Sequence, residues 1–136
     1  MVREICKDEK KLKKKSNKAN IGDERIVYDL IDTLKAHRHE CLGMAANMIG
    51  ENKQIIAVYV GALIIAMINP RIIDKSEPYE TYEGCLSLEG QRKAIRYKRI
   101  EVEFEDSHFN KTRHIFTGLT AQIIQHEINH LEGMLI

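Results

Sequence analysis

The sequence predicts an α+β domain, and three observations carry that prediction: an apolar stripe with helical period near the N-terminus, a central block of β-rich runs, and a second helical stretch at the C-terminal end. The order helix, strands, helix does not fit a doubly wound sheet, where strands and helices alternate. A chain of 136 residues, 43% hydrophobic and 30% charged, is large enough to bury one core, so residues 1–136 are read as a single domain.

Residues 1–22 are expected to form a basic, mobile N-terminal segment around "KKLKKKSNK", Lys10 to Lys18. No aromatics interleave with the lysines, which favours a solvated surface over an RNA-binding one. Charged residues interrupt the N-terminus throughout, unlike a secretion signal, and the longest apolar run, Ala62 to Ile68, is far too short to span a bilayer. The net charge of +1 gives no bias toward nucleic acid. These features point to a cytoplasmic protein with neither DNA nor membrane as partner.

A helix follows, with Asp23 as its N-cap and Ile26, Val27, Leu30, Ile31 and Leu34 recurring at spacings of three and four. "CLGMAANMIG" is rich in small residues and can bring its backbone close to another element. "QIIAVYV" and "ALIIAMI" read as strands buried on both faces, separated at Gly61, with "NP" closing the second. "DKSEPYETY" is expected to be a loop leading to "EGCLSLEG". Ile100, Val102 and Phe104 alternate with glutamates as a half-exposed strand, and "DSHFNK" connects it to a returning strand around "TRHIFTG". The last helix should start near Leu119 and stop before Gly133.

That helix contains His126, Glu127 and His130, spelling H-E-x-x-H. At about 100° per residue, Leu119, Ile123, His126 and His130 fall within roughly 60° of one another, so two histidines sit on a face that otherwise wants to be apolar. One buried histidine is easily satisfied; two at i and i+4 beside a glutamate fit a metal site better. In that chemistry two neutral imidazoles bind a divalent ion, which lowers the pKa of a bound water. Glu127 stays off the metal as the base while hydroxide attacks a carbonyl.

A third ligand must come from upstream. In the longer protease pattern H-E-x-x-H-x-x-G-x-x-H, Gly133 is in place but the final histidine position holds Ile136. Among the three cysteines, an odd number that argues against a disulfide framework, Cys85 is the best candidate, because "YEGCLSLEG" sets a thiol among small and polar residues. Cys41 is a weaker choice, and Cys6 lies in the polar N-terminal region.

Three segments, "GMAANMIG", "EGCLS" and "QHEINHLEG", together resemble the signature motifs of the peptide deformylases, in the family's chain order. The resemblance implies small antiparallel or mixed β-sheets surrounding a central H-E-x-x-H helix. It also implies a hydrolase that removes the N-terminal formyl group from N-formylmethionyl peptides of newly made proteins, near the ribosome. Cys85, His126 and His130 would hold the metal, with Glu127 as general base and acid. Fe2+ is the family's common natural ion, and Zn2+, Ni2+ or Co2+ can take its place. By position, the Leu86 backbone N–H would donate to the formyl oxygen, the backbone at Leu42, Gly43 and Gly84 would hold the peptide, and Arg92 would lie near the substrate.

The chain departs from the family pattern at several positions. Cys41 replaces the first glycine of G-x-G-L-A-A-x-Q-x-G, Met44 the leucine and Met48 the glutamine, whose amide helps stabilise the oxyanion. A thioether has no N–H to donate, and losing one such donor costs on the order of 3 kcal/mol. Glu89 stands where a proline often follows, and Asn129 replaces an aspartate. The alternative is therefore an impaired deformylase-like protein that binds N-terminal peptides, or a hydrolase of another small acylated amine.

Overall fold

Two apolar runs folding back at Gly61 start the sheet. They pair antiparallel from Ile55 with Ile68 to Val60 with Leu63, and Gly61, at φ +64°, takes the left-handed conformation of the tight turn. The computed structural model describes all of residues 1–136. Its single five-stranded antiparallel sheet is ordered as in the chain: β1 (Gly43–Ala45), β2 (Ile55–Val60), β3 (Leu63–Cys85), β4 (Leu88–Glu105) and β5 (Lys111–Thr117). Three helices, α1 (Glu9–Leu12), α2 (Glu24–Ala36) and α3 (Gly118–Leu131), complete the α+β fold, with short 3₁₀ turns at Ile21–Asp23 and Ala46–Ile49.

Helix α2 buries Val27, Leu30 and Leu34 as its periodicity predicts, and both α2 and α3 pack on β1 and β2. One core of 23 residues joins them, including Met44, Met48, Ile56, Val102 and Ile124. Asp23 stands at the N-cap of α2, but its side chain does not cap that helix. It accepts instead from the Asn20 N–H at 2.9 Å, in a reciprocal box that closes the preceding 3₁₀ turn.

The central hairpin is longer than expected. "NP" does not close a strand, and "DKSEPYETY" is not a loop: β3 runs on to Cys85 opposite β4. Asn69 and Pro70 fall in a register shift between Ile68 and Arg71, where the ladder asks no N–H of proline. Asn69 adopts φ +52°, and its amide is tied to both main-chain groups of Ala19 and to Glu105. The strand is bent there rather than ended. Beyond the bend most β3 residues are exposed or half-buried, so main-chain pairing holds the segment where no apolar pattern could announce it.

The lysines of the N-terminal run are exposed, yet the segment is tied to the core. Leu12 is fully buried, the Ser16 N–H donates to the Leu131 carbonyl at 2.8 Å, and the Cys6 N–H to the Met48 carbonyl at 2.7 Å. Gly133 ends α3 at φ +82°, and a Cβ there would lie 2.2 Å from the Lys13 carbonyl oxygen. Only glycine permits both the left-handed cap and this close crossing. The crossing locks the N-terminal segment over the end of the helix that carries the H-E-x-x-H residues.

Candidate metal centre and substrate cleft

Strand β3 delivers Cys85 at its last residue, beside a helix whose period brings His126 and His130 to the same side. One ligating atom from each of Cys85, His126 and His130 lies within 4.8 Å of the others. The two Nε2 atoms are 3.0 Å apart. Imidazole nitrogens bind a zinc-like ion at about 2.0–2.1 Å, so this pair converges on one coordination point. A soft sulfur with two imidazoles suits a divalent transition metal rather than magnesium or calcium. Cys41 and Cys6 stand outside the convergent set.

The surroundings of His126 complete the fit. Its Nδ1 lies 2.8 Å from Glu83 Oε1, which places the proton on Nδ1 and turns the Nε2 lone pair toward Cys85 and His130. Arg96 grips Glu83 through Nε and Nη2 at 2.7–3.1 Å, and Gln122 donates to Glu83 Oε2 at 2.9 Å. Arg96 Nη1 donates to Asn129 Oδ1 at 2.6 Å. The Ser87 N–H points at Cys85 Sγ, 3.4 Å away.

These contacts set the charges. Burial alone would raise the Glu83 carboxyl, but hydrogen bonds from His126, Arg96 and Gln122 bring it down to about 2. Burial would lower His126, but hydrogen bonds with Cys85 and Glu83 raise it to about 10. Without an ion, that side of the site favours a positive charge. Burial, with His126 beside it, lowers His130 to about 3, so that imidazole is neutral. Glu127 is pushed up to about 7 by burial, and its Oε1 has no hydrogen-bond partner. A carboxyl balanced near neutrality can both take and return a proton. The Cys41 thiol is pushed up to about 12, chiefly by burial and then by the nearby charge of Glu127.

A cleft of about 320 Å³ opens over this constellation. Cys41, Leu42, Gly43 and Met48 form one wall, Tyr82 to Leu86 the other, and Leu119, Gln122, Ile123, His126 and Glu127 line the helix side. The structure thus gathers Glu127, Leu86, Met48, Leu42, Gly43, Gly84, Cys85 and His126 at one opening, with His130 fully buried behind it. Gly43 is needed for close packing: a Cβ there would fall 2.5 Å from Ile123 Cγ2 and 3.1 Å from Glu127 Oε2. Met48 is 1% exposed, and its sulfur accepts from the Ala45 N–H at 3.5 Å. Arg92 is not among the residues that line the cleft; on β4 opposite Glu83, it donates to the Glu89 carbonyl at 3.2 Å. A larger groove of about 840 Å³, bordered by Arg96 and Asn129, shares no lining residue with the cleft.

Sequence reasoning left Glu83, Gln122 and Arg96 without roles. Glu83 had a signal, since residues i and i+2 of a strand share a face and Cys85 is two positions on. Arg96 had none, because its meeting with Glu83 depends on how the long hairpin twists.

Residues 2–136 match the polypeptide deformylase family. A peptide deformylase from Clostridium beijerinckii is 52% identical over 136 residues, the whole of both chains. Crystal structures of peptide deformylases from Legionella pneumophila and Ehrlichia chaffeensis each superpose with a TM-score of 0.89, at 27% and 29% identity. Each match covers 99% of this chain, and 83% and 86% of theirs. No helix is long and apolar enough to cross a membrane. With a family match over nearly its whole length, a relative identical at half its positions and this fold, the chain belongs to the polypeptide deformylases, a family of metal-dependent hydrolases.

Proposed function

We propose that this protein removes the formyl group from N-formylmethionyl peptides in the cytoplasm, as they are made. The observation that carries the reading is the convergence of Cys85, His126 and His130 beside a buried carboxyl, Glu127, that has a free oxygen. Cys85 Sγ and the two Nε2 atoms would hold the ion, with Fe2+ as the natural occupant and Zn2+, Ni2+ or Co2+ as substitutes. A divalent ion there supplies Lewis acidity toward a water and the formyl oxygen.

The rest is done by the chain. The peptide lies between the backbone of Leu42 and Gly43 on one wall and that of Gly84 on the other, as an added strand. Glu127 accepts a proton from the attacking water at its carboxylate and returns it to the departing amine. The formyl C–N bond breaks, leaving formate and a free amino terminus. The Leu86 N–H donates to the oxygen that gains charge, and Arg92 contacts the peptide beyond the reacting group.

Met48 favours a second reading. It lines the cleft where the family pattern has a glutamine, and its sulfur accepts rather than donates. An impaired deformylase-like protein that captures N-terminal peptides, or a hydrolase of another small acylated amine, would follow. Protein loaded with Fe2+ or Ni2+ under anaerobic, reducing conditions should release formate from a formyl-Met peptide, faster than from formyl-lysine or acetyl-Met substrates. Tight peptide binding in calorimetry with no formate released from a metal-loaded sample would overturn the first reading in favour of the second.

A further inference from the structure

Asn47 sits beside Met48 in the 3₁₀ turn, 3% exposed, and its Nδ2 donates to the main-chain carbonyl of His130 at 2.7 Å, 83 residues away in the chain. His130 is in the last turn of α3, where carbonyls run out of intrahelical donors. The Gly133 N–H supplies one hydrogen bond to that oxygen at 3.0 Å, and Asn47 supplies another from a different part of the fold.

Two orphaned atoms give this link its meaning. His130 Nδ1 has no hydrogen-bond partner in the protein, so no hydrogen bond orients the ring from behind. Asn47 Oδ1 also has none. A buried amide with an unsatisfied oxygen is costly, and an apolar side chain would fill the space at lower cost unless the N–H is used. The N–H goes to the backbone of the histidine whose ring lacks support.

We propose that Asn47 is a positioning residue for the metal site. Through the His130 main chain it locks the last turn of α3, keeping His130 Nε2 converged with His126 Nε2 and Cys85 Sγ. The inference rests on metal ligation by those three residues. The same link sets the distance between the turn bearing Met48 and the helix bearing Glu127, so that cleft wall and proton acceptor stay in register.

The test compares Asn47→Ala and Asn47→Asp, which remove the donor, with Ile49→Val, which loosens the packing of the same turn and leaves the link intact. Each full-length protein is loaded with Co2+. Ion affinity is measured by chelator competition, the site by its cobalt visible absorption spectrum, and stability by thermal unfolding. Both Asn47 variants should bind cobalt about tenfold more weakly, the low end for residues that support a ligand, with a shifted spectrum and lower kcat at little-changed KM. Ile49→Val should lower the melting temperature and leave affinity and spectrum alone. The proposal is overturned if Asn47→Ala keeps the wild-type spectrum and affinity, or if its affinity loss merely tracks stability as in Ile49→Val. A wild-type chain that binds no cobalt would overturn the metal reading itself, a separate outcome.

Discussion

His126 and His130 stand one turn apart on the same helix and offer the same nitrogen to the same point, yet the protein holds them in opposite ways. Behind His126 lies a cross-linked charged cluster: Glu83 on its Nδ1, Arg96 and Gln122 on Glu83, and Asn129 on Arg96. Behind His130 no partner meets Nδ1; its support is on the carbonyl, from the Gly133 N–H and, out of a distant part of the chain, the Asn47 amide. The difference teaches a division of labour. One carboxylate behind one imidazole makes that ligand basic and fixes its tautomer. A second carboxylate behind the other would add negative charge, at further desolvation cost, to a site that already contains the Glu83 and Glu127 carboxyls. The neutral side therefore supplies position, and the charged side supplies basicity.

The largest expected effect breaks the charged side. Glu83→Ala leaves Arg96 buried without its counter-ion and His126 Nδ1 without its acceptor. Removing one partner of a buried pair costs about 3–5 kcal/mol, and losing a residue that supports a ligand costs about 10–100-fold in metal affinity. Thermal unfolding and chelator competition measure the two losses. If affinity stays within twofold of wild type, the contrast between the two histidines has no energetic content.

Met48→Gln sharpens the other side. Glutamine can accept from the Ala45 N–H with its oxygen, as the Met48 sulfur does, and still present an N–H to the cleft. Restoring one oxyanion donor is worth on the order of 3 kcal/mol at most, so kcat/KM on a formyl-Met peptide should rise by about one order of magnitude or more. No gain would mean that another feature of the neutral wall, such as Cys41, limits the reaction.

Removing the metal separates the two histidines by pH. In chelator-treated protein, Glu83 falls from an ordinary 4.5 to about 2, so the stability it contributes is present above pH 4.5 and is lost as pH falls toward 2. His126 rises from 6.5 to about 10, so its contribution is complete below pH 6.5 and is lost as pH rises through 10. His130, lowered to about 3, opposes folding progressively as pH falls below 6.5. The alkaline loss should be absent from a His126→Asn variant and kept in a His130→Asn variant, as read by the melting temperature between pH 6 and 10. The same alkaline slope in both variants would show that the charge is not held where the geometry puts it.

How much of this was legible in the sequence follows from where each signal resides. The α2 stripe, the Gly61 turn and the His126–Glu127–His130 spacing are local patterns, and each element formed where its pattern lies. The second half of β3 was missed because it is held by pairing with β4 rather than by burial, so its polar residues resemble a loop. The convergence of Cys85 with the histidines was approached by elimination and family resemblance, because contact between a strand end and a distant helix leaves no periodic trace. Arg96 and Asn47 lay beyond reach for the same reason. Both act across long sequence separations on partners that local spacing does not identify.

The smallest expected effect concerns Asn129, whose replacement of an aspartate could not be given a sign from sequence alone. Its Oδ1 accepts from Arg96 Nη1 at 2.6 Å, on the side of Arg96 away from the cleft. Asn129→Asp turns this bond, already charge-assisted from the guanidinium side, into one with both partners charged, and should raise stability by about 1 kcal/mol. It also draws Arg96 away from Glu83, leaving more of that carboxylate's charge for His126. Metal affinity should therefore rise, by about threefold or less, because the effect passes through two hydrogen bonds before it reaches the ligand. Chelator competition on wild type and variant measures it. A tenfold loss of affinity would mean that Asn129 keeps excess negative charge out of the cluster, and that the charged side of the site is already at its limit.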